Sequence, residues 1–236
     1  MKKAILFDLD GTLLPVKDDD LAKKYVELLV QKFSHKYDAK TFFHTLYTSI
    51  GKMVQNDGKE SNEAVFWNYF SSVFGPVSKQ DLEAFALFYE QEYLQLKEVC
   101  KENPYVREII EAAKSSYEKV ILATNPFFPR RAIVHRLEFA GLKEEDFTWI
   151  TSYETSHFCK PNPSYYQEIL SRFDLKPEEV LMVGNHKIED GEASSSLGIE
   201  CILVGDYLLP KDDLSTRFPH YEMKDLAKVI QKKAKE

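Results

Sequence analysis

Two carboxylates stand two residues apart in Asp8-Leu9-Asp10-Gly11-Thr12, directly after the apolar run Ala4-Ile5-Leu6-Phe7. If that run is a strand of a parallel sheet, both acids leave its carboxyl end, where α/β folds bind their ligands. Gly11 lets the backbone turn away sharply. By chance D-x-D-G-T arises in on the order of a few chains per thousand, taking about 7% Gly and roughly 5% for each other residue. The ordinary alternative is an Asp-Gly turn with a spare acid beside it.

Three later groups would complement such a pair. Thr124-Asn125 follows the run Val120-Ile121-Leu122-Ala123, and a hydroxyl with a backbone N–H at a strand's end can hold phosphate oxygens. Lys160 sits in Cys159-Lys160-Pro161-Asn162-Pro163, where two prolines stiffen the loop around one ammonium group. Gly184-Asn185-His186-Lys187-Ile188-Glu189-Asp190 follows the run Val180–Val183. A hard cation such as Mg2+ prefers carboxylate and water oxygens, and Asp190 or Glu189 can supply one. Helical neighbours diverge by about 100°, so only one of these two is expected to face inward. Taken singly, Thr-Asn is a common turn start and Lys160 an ordinary surface lysine.

The elements that must position these groups are legible. Five short apolar runs read as strands: 4–7, 120–123, 147–150, 180–183 and 201–204. From residue 104 they alternate with helical segments, the pattern of a parallel sheet covered on both faces. Asn103-Pro104 and Asn162-Pro163 predict helix starts, and Gly141 and Gly198 predict left-handed helix ends. Residues 16–98 contain no convincing strand. Helices are expected over 39–54 and 62–74, with a turn at Asn56-Asp57-Gly58-Lys59 between them. Leu21, Tyr25, Leu28 and Phe33 mark one helical stripe; Leu82, Phe85, Tyr89, Tyr93 and Leu96 mark another, preceded by the capping-box pattern Ser78-x-x-Asp81. The aromatic side chains of this region (Phe42, Phe43, Tyr47, Phe66, Trp67, Tyr69, Phe70, Phe74) are expected to form the core of a helical bundle.

Composition narrows the class. A net charge of −7 excludes a surface built for nucleic acid, and no run approaches the ~20 apolar residues of a membrane span. The lysines near the C-terminus read as a solvated helix face. Three scattered cysteines, Cys100, Cys159 and Cys201, form no CxxC pair and fit reduced thiols in a cytoplasmic protein.

The order and spacing of these groups resembles the haloacid-dehalogenase-like (HAD) superfamily of phosphohydrolases, over nearly the whole chain. That resemblance implies a Rossmann-like α/β core (1–15 and 99–236) with helices on both faces of a parallel sheet. It also implies an all-helical cap (16–98) inserted after the first motif. Asp8 would be the nucleophile, Asp10 the general acid and base, and Lys160 the neutralising cation. Thr124, Asn125 and Gly11 would bind the phosphoryl group; Asp8, the Asp10 carbonyl, Asp190 and Asn185 would hold Mg2+. The chain departs from the family's G-D-S/T-x-x-x-D loop at Asn185 and His186. Asn185 keeps an oxygen ligand but removes one charge, so weaker metal affinity is expected. His186 either faces solvent or touches phosphate or a metal-bound water.

The expected function is hydrolysis of a small phosphorylated metabolite through an aspartyl phosphate. The expected protein is a monomer or weak homodimer with neither nucleic-acid nor membrane partners. The cap should close over the crevice and choose the leaving group, with Lys17, Lys52, Gln55 and Asn56 as expected substrate contacts. A phosphomutase would share every catalytic residue, and a phosphate-binding regulator would share the fold without turnover. A dehalogenase would need neither Asp10 nor an acidic fourth loop.

Overall fold

The computed structural model describes residues 1–210 and 217–236. Six parallel strands lie in the order β3-β2-β1-β4-β5-β6: β1 (Ala4–Phe7), β2 (Lys119–Leu122), β3 (Trp149–Ile150), β4 (Val180–Gly184), β5 (Glu200–Val204) and β6 (His220–Tyr221). Every residue of β1 is buried, as a central strand covered on both faces requires. Ile5 and Phe7 face one core, together with Ile109 and Ile110 of α5 (Val106–Ser116), Ile133 and Leu137 of α6 (Arg130–Phe139) and Leu226 and Ile230 of α9 (Leu226–Lys233). Ala4 and Leu6 face the other, with Tyr165, Tyr166, Ile169 and Leu170 of α7 (Pro163–Phe173). Each fully buried side chain of this size contributes about 1.5–3 kcal/mol.

Strands β1 to β3 build the sheet in one direction and β4 to β6 in the other, so the order reverses between β1 and β4. Such a reversal opens a crevice beyond the strand ends. The register sets Phe7 beside Leu122 and Val183, so the segments leaving β1, β2 and β4 emerge at one level. Those segments carry Asp8, Thr124 and Asn185.

Between β1 and β2 the chain forms α1 (Asp18–Phe33), α2 (Ala39–Val54), α3 (Asn62–Phe74) and α4 (Lys79–Glu90), then a 3-10 segment over Glu92–Val99. The expected spans of α2 and α3 are reproduced. Side chains cap their starts: Asp38 accepts from the Thr41 N–H at 2.9 Å and Ser61 from the Ala64 N–H at 3.2 Å. Ser78 and Asp81 form the capping box of α4. Phe33, Phe42, Phe70 and Phe85 are buried together, with the Phe33 and Phe85 rings stacked 4.3 Å apart.

Three sequence readings shift. The stripe from Leu82 to Leu96 is not one helix, because the backbone breaks at Gln91 and Leu82 is exposed while Tyr93 and Leu96 are buried. Asn103 does not cap α5: it accepts from the Tyr105 N–H at 3.1 Å and donates to the Leu13 carbonyl at 3.2 Å, tying the insert's return to the first loop. Strand β6 has no apolar run of its own and exists by pairing with β5. Among the described residues, no helix is long and apolar enough to cross a membrane.

Candidate active site

The loop after β1 folds back tightly. The Leu9 carbonyl accepts from the N–H groups of Thr12 (3.1 Å) and Leu14 (2.9 Å), with Gly11 at φ +76°. A Cβ on Gly11 would lie 2.3 Å from the Asn185 Nδ2, so this glycine is needed both for its backbone angle and for the close approach of the β4 loop. Thr12 joins the two loops: its hydroxyl lies 3.1 Å from an Asp8 carboxylate oxygen and 3.2 Å from Asn185 Oδ1. The Asn185 amide group in turn donates to the Tyr207 carbonyl at 2.7 Å.

After β4 the chain makes a π-helical turn, Lys187–Glu192, before the short helix α8 (Ala193–Ser195). Such wide turns recur at functional sites. His186 Nδ1 accepts from the N–H groups of Ile188 (3.2 Å) and Glu189 (3.1 Å), so this side chain caps the turn. Asp190 then points back into the core, accepting from the N–H groups of Asn185 (3.1 Å) and His186 (2.9 Å). A Cβ on Gly184 would collide with this carboxylate at 2.1 Å. Contrary to the helical expectation, both acids of the turn line the crevice, and Glu189 accepts from the Asn125 amide at 3.0 Å.

Lys160 closes the arrangement. Its ammonium lies 2.9 Å from Asp8 and 2.6 Å from Asp190, buried with only 1% of its side chain exposed. The Asn125 side chain fastens the lysine loop, accepting from the Lys160 N–H and donating to its carbonyl. Thr124 is buried at the end of β2 and lines the same crevice. Cys159, beside this lysine, is a buried thiol that accepts from the Asn62 amide at 3.3 Å, which supports its reading as a bystander.

Burial raises the Asp8 pKa and Asp190 adds to it, against the pull of Lys160. Burial alone would lower Lys160, but Asp190 and Asp8 outweigh it and keep the ammonium charged. Burial pushes Asp10 up to about 6, with Arg136 opposing and Asp8 reinforcing the rise. Arg136 is 1% exposed and pairs directly with Asp10.

Asp8 and Asp190 both reach the Lys160 ammonium, and Asn185 Oδ1 shares the Thr12 hydroxyl with Asp8, so carboxylate and amide oxygens gather at one place. That chemistry fits a hard divalent ion whose remaining positions are water. Among the described residues no three His, Cys, Asp or Glu side chains group as a metal site, so this set holds two carboxylates and no third.

Above these groups lies a cavity of about 310 Å³. The helical insert walls it with Asp18, Leu21, Tyr25, Phe43, Tyr47 and Ile50, and the core adds Phe127 and Phe128. Of the insert's aromatics, Phe42 and Phe70 are bundle core as expected, whereas Phe43 and Tyr47 are exposed, stack at 6.3 Å and face the cavity. Lys17, Lys52 and Gln55 are exposed and none of them lines the cavity. Asn56 is buried in its own turn, bonded to Asn62, the Glu60 carbonyl and the Gly58 N–H. Sequence reasoning missed Arg136, Asp18 and Thr12. Thr12 stood inside the quoted motif; an arginine on an otherwise apolar helix face was the signal for Arg136.

The description "haloacid dehalogenase-like hydrolase" matches residues 2–196. A phosphorylated carbohydrates phosphatase of Thermotoga maritima is 29% identical over 85% of this chain and 83% of its own. A pyrophosphatase PpaX of Bacillus cereus is 27% identical over 80% and 77%. Among solved structures, a HAD phosphatase from Thermococcus onnurineus shares the fold at a TM-score of 0.59 and 20% identity, covering 97% of both chains. A 2-haloacid dehalogenase from Pseudomonas syringae does so at 0.62 and 19%, covering 98% of this chain and 99% of that one. On the strength of the motif order, the sheet reversal and this match, the chain belongs to the haloacid dehalogenase-like hydrolases, as an enzyme of the phosphatase kind.

Proposed function

We propose that this phosphatase hydrolyses a small phosphorylated metabolite through an aspartyl phosphate on Asp8, with Mg2+ as its cofactor, in the cytoplasm. The observation that carries the reading is the buried convergence of Asp8, Asp190 and the Lys160 ammonium, with Asp10 two residues away under a cavity of substrate size. A phosphate monoester is dianionic near neutral pH and repels a carboxylate, so the attack requires positive charge at both. Held by Asp8, the Asp10 carbonyl, Asp190 and Asn185, Mg2+ would supply neutralisation of the phosphoryl oxygens.

Asp8 attacks phosphorus while the ester P–O bond breaks, and Asp10 gives its proton to the departing oxygen. Asp10 then takes a proton from the water that attacks the aspartyl phosphate, which restores Asp8 and releases inorganic phosphate. Thr124 and the Asn125 backbone N–H hold the phosphoryl oxygens, and Gly11 keeps the loop close enough for them to reach. Lys160 neutralises Asp8 and holds its orientation. Residues 16–98 act as the cap, and the leaving group lies against Tyr25, Phe43, Tyr47 and Phe128. Those walls favour an apolar or aromatic leaving group over a polyhydroxylated one, because the insert offers only Asp18 and tyrosine hydroxyls for hydrogen bonds.

Turnover of p-nitrophenyl phosphate tests the proposal. Asp8→Asn abolishes it, chelation suppresses it and added Mg2+ restores it. Near-normal activity of Asp8→Asn refutes the covalent route, and phosphoryl transfer to a sugar hydroxyl instead of water marks a mutase.

A further inference from the structure

Arg136 has no part in the steps above, yet it is the largest fully buried side chain described. It projects from α6 into the space behind the first loop, pairs with one carboxylate oxygen of Asp10 and lies over the Phe128 ring, 4.4 Å from its centroid. A guanidinium in such a place is costly unless it is needed, because a buried ion loses its hydration. An apolar residue of similar volume would pack against Phe128 without that cost. The remaining polar atoms deepen the point. Arg136 Nε and Nη2 are buried without a protein partner, as are the other Asp10 oxygen, Oδ1, and the Tyr93 hydroxyl. Interior polar atoms are nearly always paired, so several orphans around one arginine mark a place where geometry has been kept for a reason other than stability.

We propose that Arg136 is a positioning residue for the proton transfer: by pairing with Asp10 Oδ2 it fixes the carboxyl group that lines the cavity and exchanges the proton with the leaving group. The inference rests on the phosphatase reading, in which Asp10 is the acid. In the first step the Asp10 O–H bond breaks and the proton passes to the ester oxygen as its bond to phosphorus breaks. In the second, Asp10 takes a proton from the attacking water. The carboxyl group stays paired with the guanidinium in both. A carboxylate on a short loop has two free torsions, and fixing one oxygen removes the rotation that would carry the acid away from the leaving atom. The stacked Phe128 ring holds the guanidinium plane, so the clamp is itself constrained.

A purely structural arginine and a clamp on the acid differ in how their loss depends on the leaving group. Protonation matters greatly for an alkoxide and little for p-nitrophenolate, which departs readily unprotonated. The experiment compares kcat for a simple alkyl phosphate and for p-nitrophenyl phosphate in the wild type, Arg136→Met, Arg136→Lys and Asp10→Asn. Methionine preserves most of the packing volume, and circular dichroism verifies the fold of each variant. Arg136→Met is expected to slow the alkyl ester about tenfold more than the aryl ester, and Arg136→Lys to recover part of that difference. In an Asp10→Asn background, Arg136→Met should add little to the loss on the alkyl ester. Equal losses on both esters, or full additivity with Asp10→Asn, overturn the proposal. If Arg136→Met does not fold, the ratio of the two losses in Arg136→Lys decides in the same way. A wild type inactive on both esters, by contrast, overturns the phosphatase reading itself.

Discussion

Replacing Lys160 by Met removes the ammonium group that pairs with both Asp8 and Asp190. The lysine and Asp190 side chains are each only 1% exposed, and Asp8 is 12% exposed, so water cannot screen the two acids left behind. Breaking a buried ion pair of this kind costs roughly 3–5 kcal/mol, mostly because an uncompensated charge remains. For a chain of this size that is a fall in Tm of about 10 °C, at roughly 2–4 °C per kcal/mol. Two further features distinguish this loss from a simple packing defect. The stranded Asp8 carboxylate can take up a proton, and burial already raises its pKa. Its folded pKa then lies above the unfolded one, so the deficit is small in acid and grows as pH rises through the folded value. Mg2+ placed against Asp8 and Asp190 substitutes for the missing charge, so it should stabilise the variant more than the wild type. The assay is thermal unfolding of both proteins in chelator and in excess Mg2+, near pH 5.5 and near pH 8. A variant within experimental error of the wild type, or one whose deficit is the same at both pH values and with both additives, refutes the reasoning about the buried acids.

The remaining predictions concern the loop and the rim. Asn185→Asp adds a third carboxylate to the donor set, so the Mg2+ concentration for half-maximal activity should fall; the same change removes the donor to the Tyr207 carbonyl and should cost about 1–3 kcal/mol in metal-free protein, read by urea denaturation. Asp18, at the start of α1, is pushed up to about 7 by burial and by Asp10, Asp8 and Glu189. Its folded pKa exceeds the unfolded one, so the stability it contributes is present in acid and lost as pH rises through about 7. Asp18→Asn should therefore raise Tm more near pH 8 than near pH 5 and leave it unchanged only below about pH 4, the effect being modest because the residue is exposed, with calorimetry as the check.

Much of the core was legible because it depends on local pattern. Apolar runs bounded by turn residues marked β1 to β5, helical spacing of apolar residues marked α2 and α3, and the Ser78-x-x-Asp81 pattern marked the start of α4. The motif Asp8-x-Asp10-Gly11-Thr12 and its later partners could be ordered along the chain for the same reason. The positions of Lys17, Lys52, Gln55 and Asn56 relative to the cavity could not be judged that way. They were selected by polarity near a loop, whereas contact with the cavity depends on how α1 and α2 lie over the sheet. That packing turns Phe43 and Tyr47 toward the crevice and leaves Lys52 outside it.

The sequence by itself determined which side chains carry charge at the strand ends and, through apolar periodicity, that those strands are buried. Only the tertiary structure decided which charges meet. Asp8, Lys160 and Asp190 lie about 150 and 30 residues apart along the chain, and no local rule relates them. They converge because three parallel strands in register release their loops at one level, and because a π-helical turn swings Asp190 back beneath Gly184. Arg136 is the plainest case. From its own helix it is one basic residue among several, and burial against Asp10 arises only when α6 packs on the sheet beside the first loop.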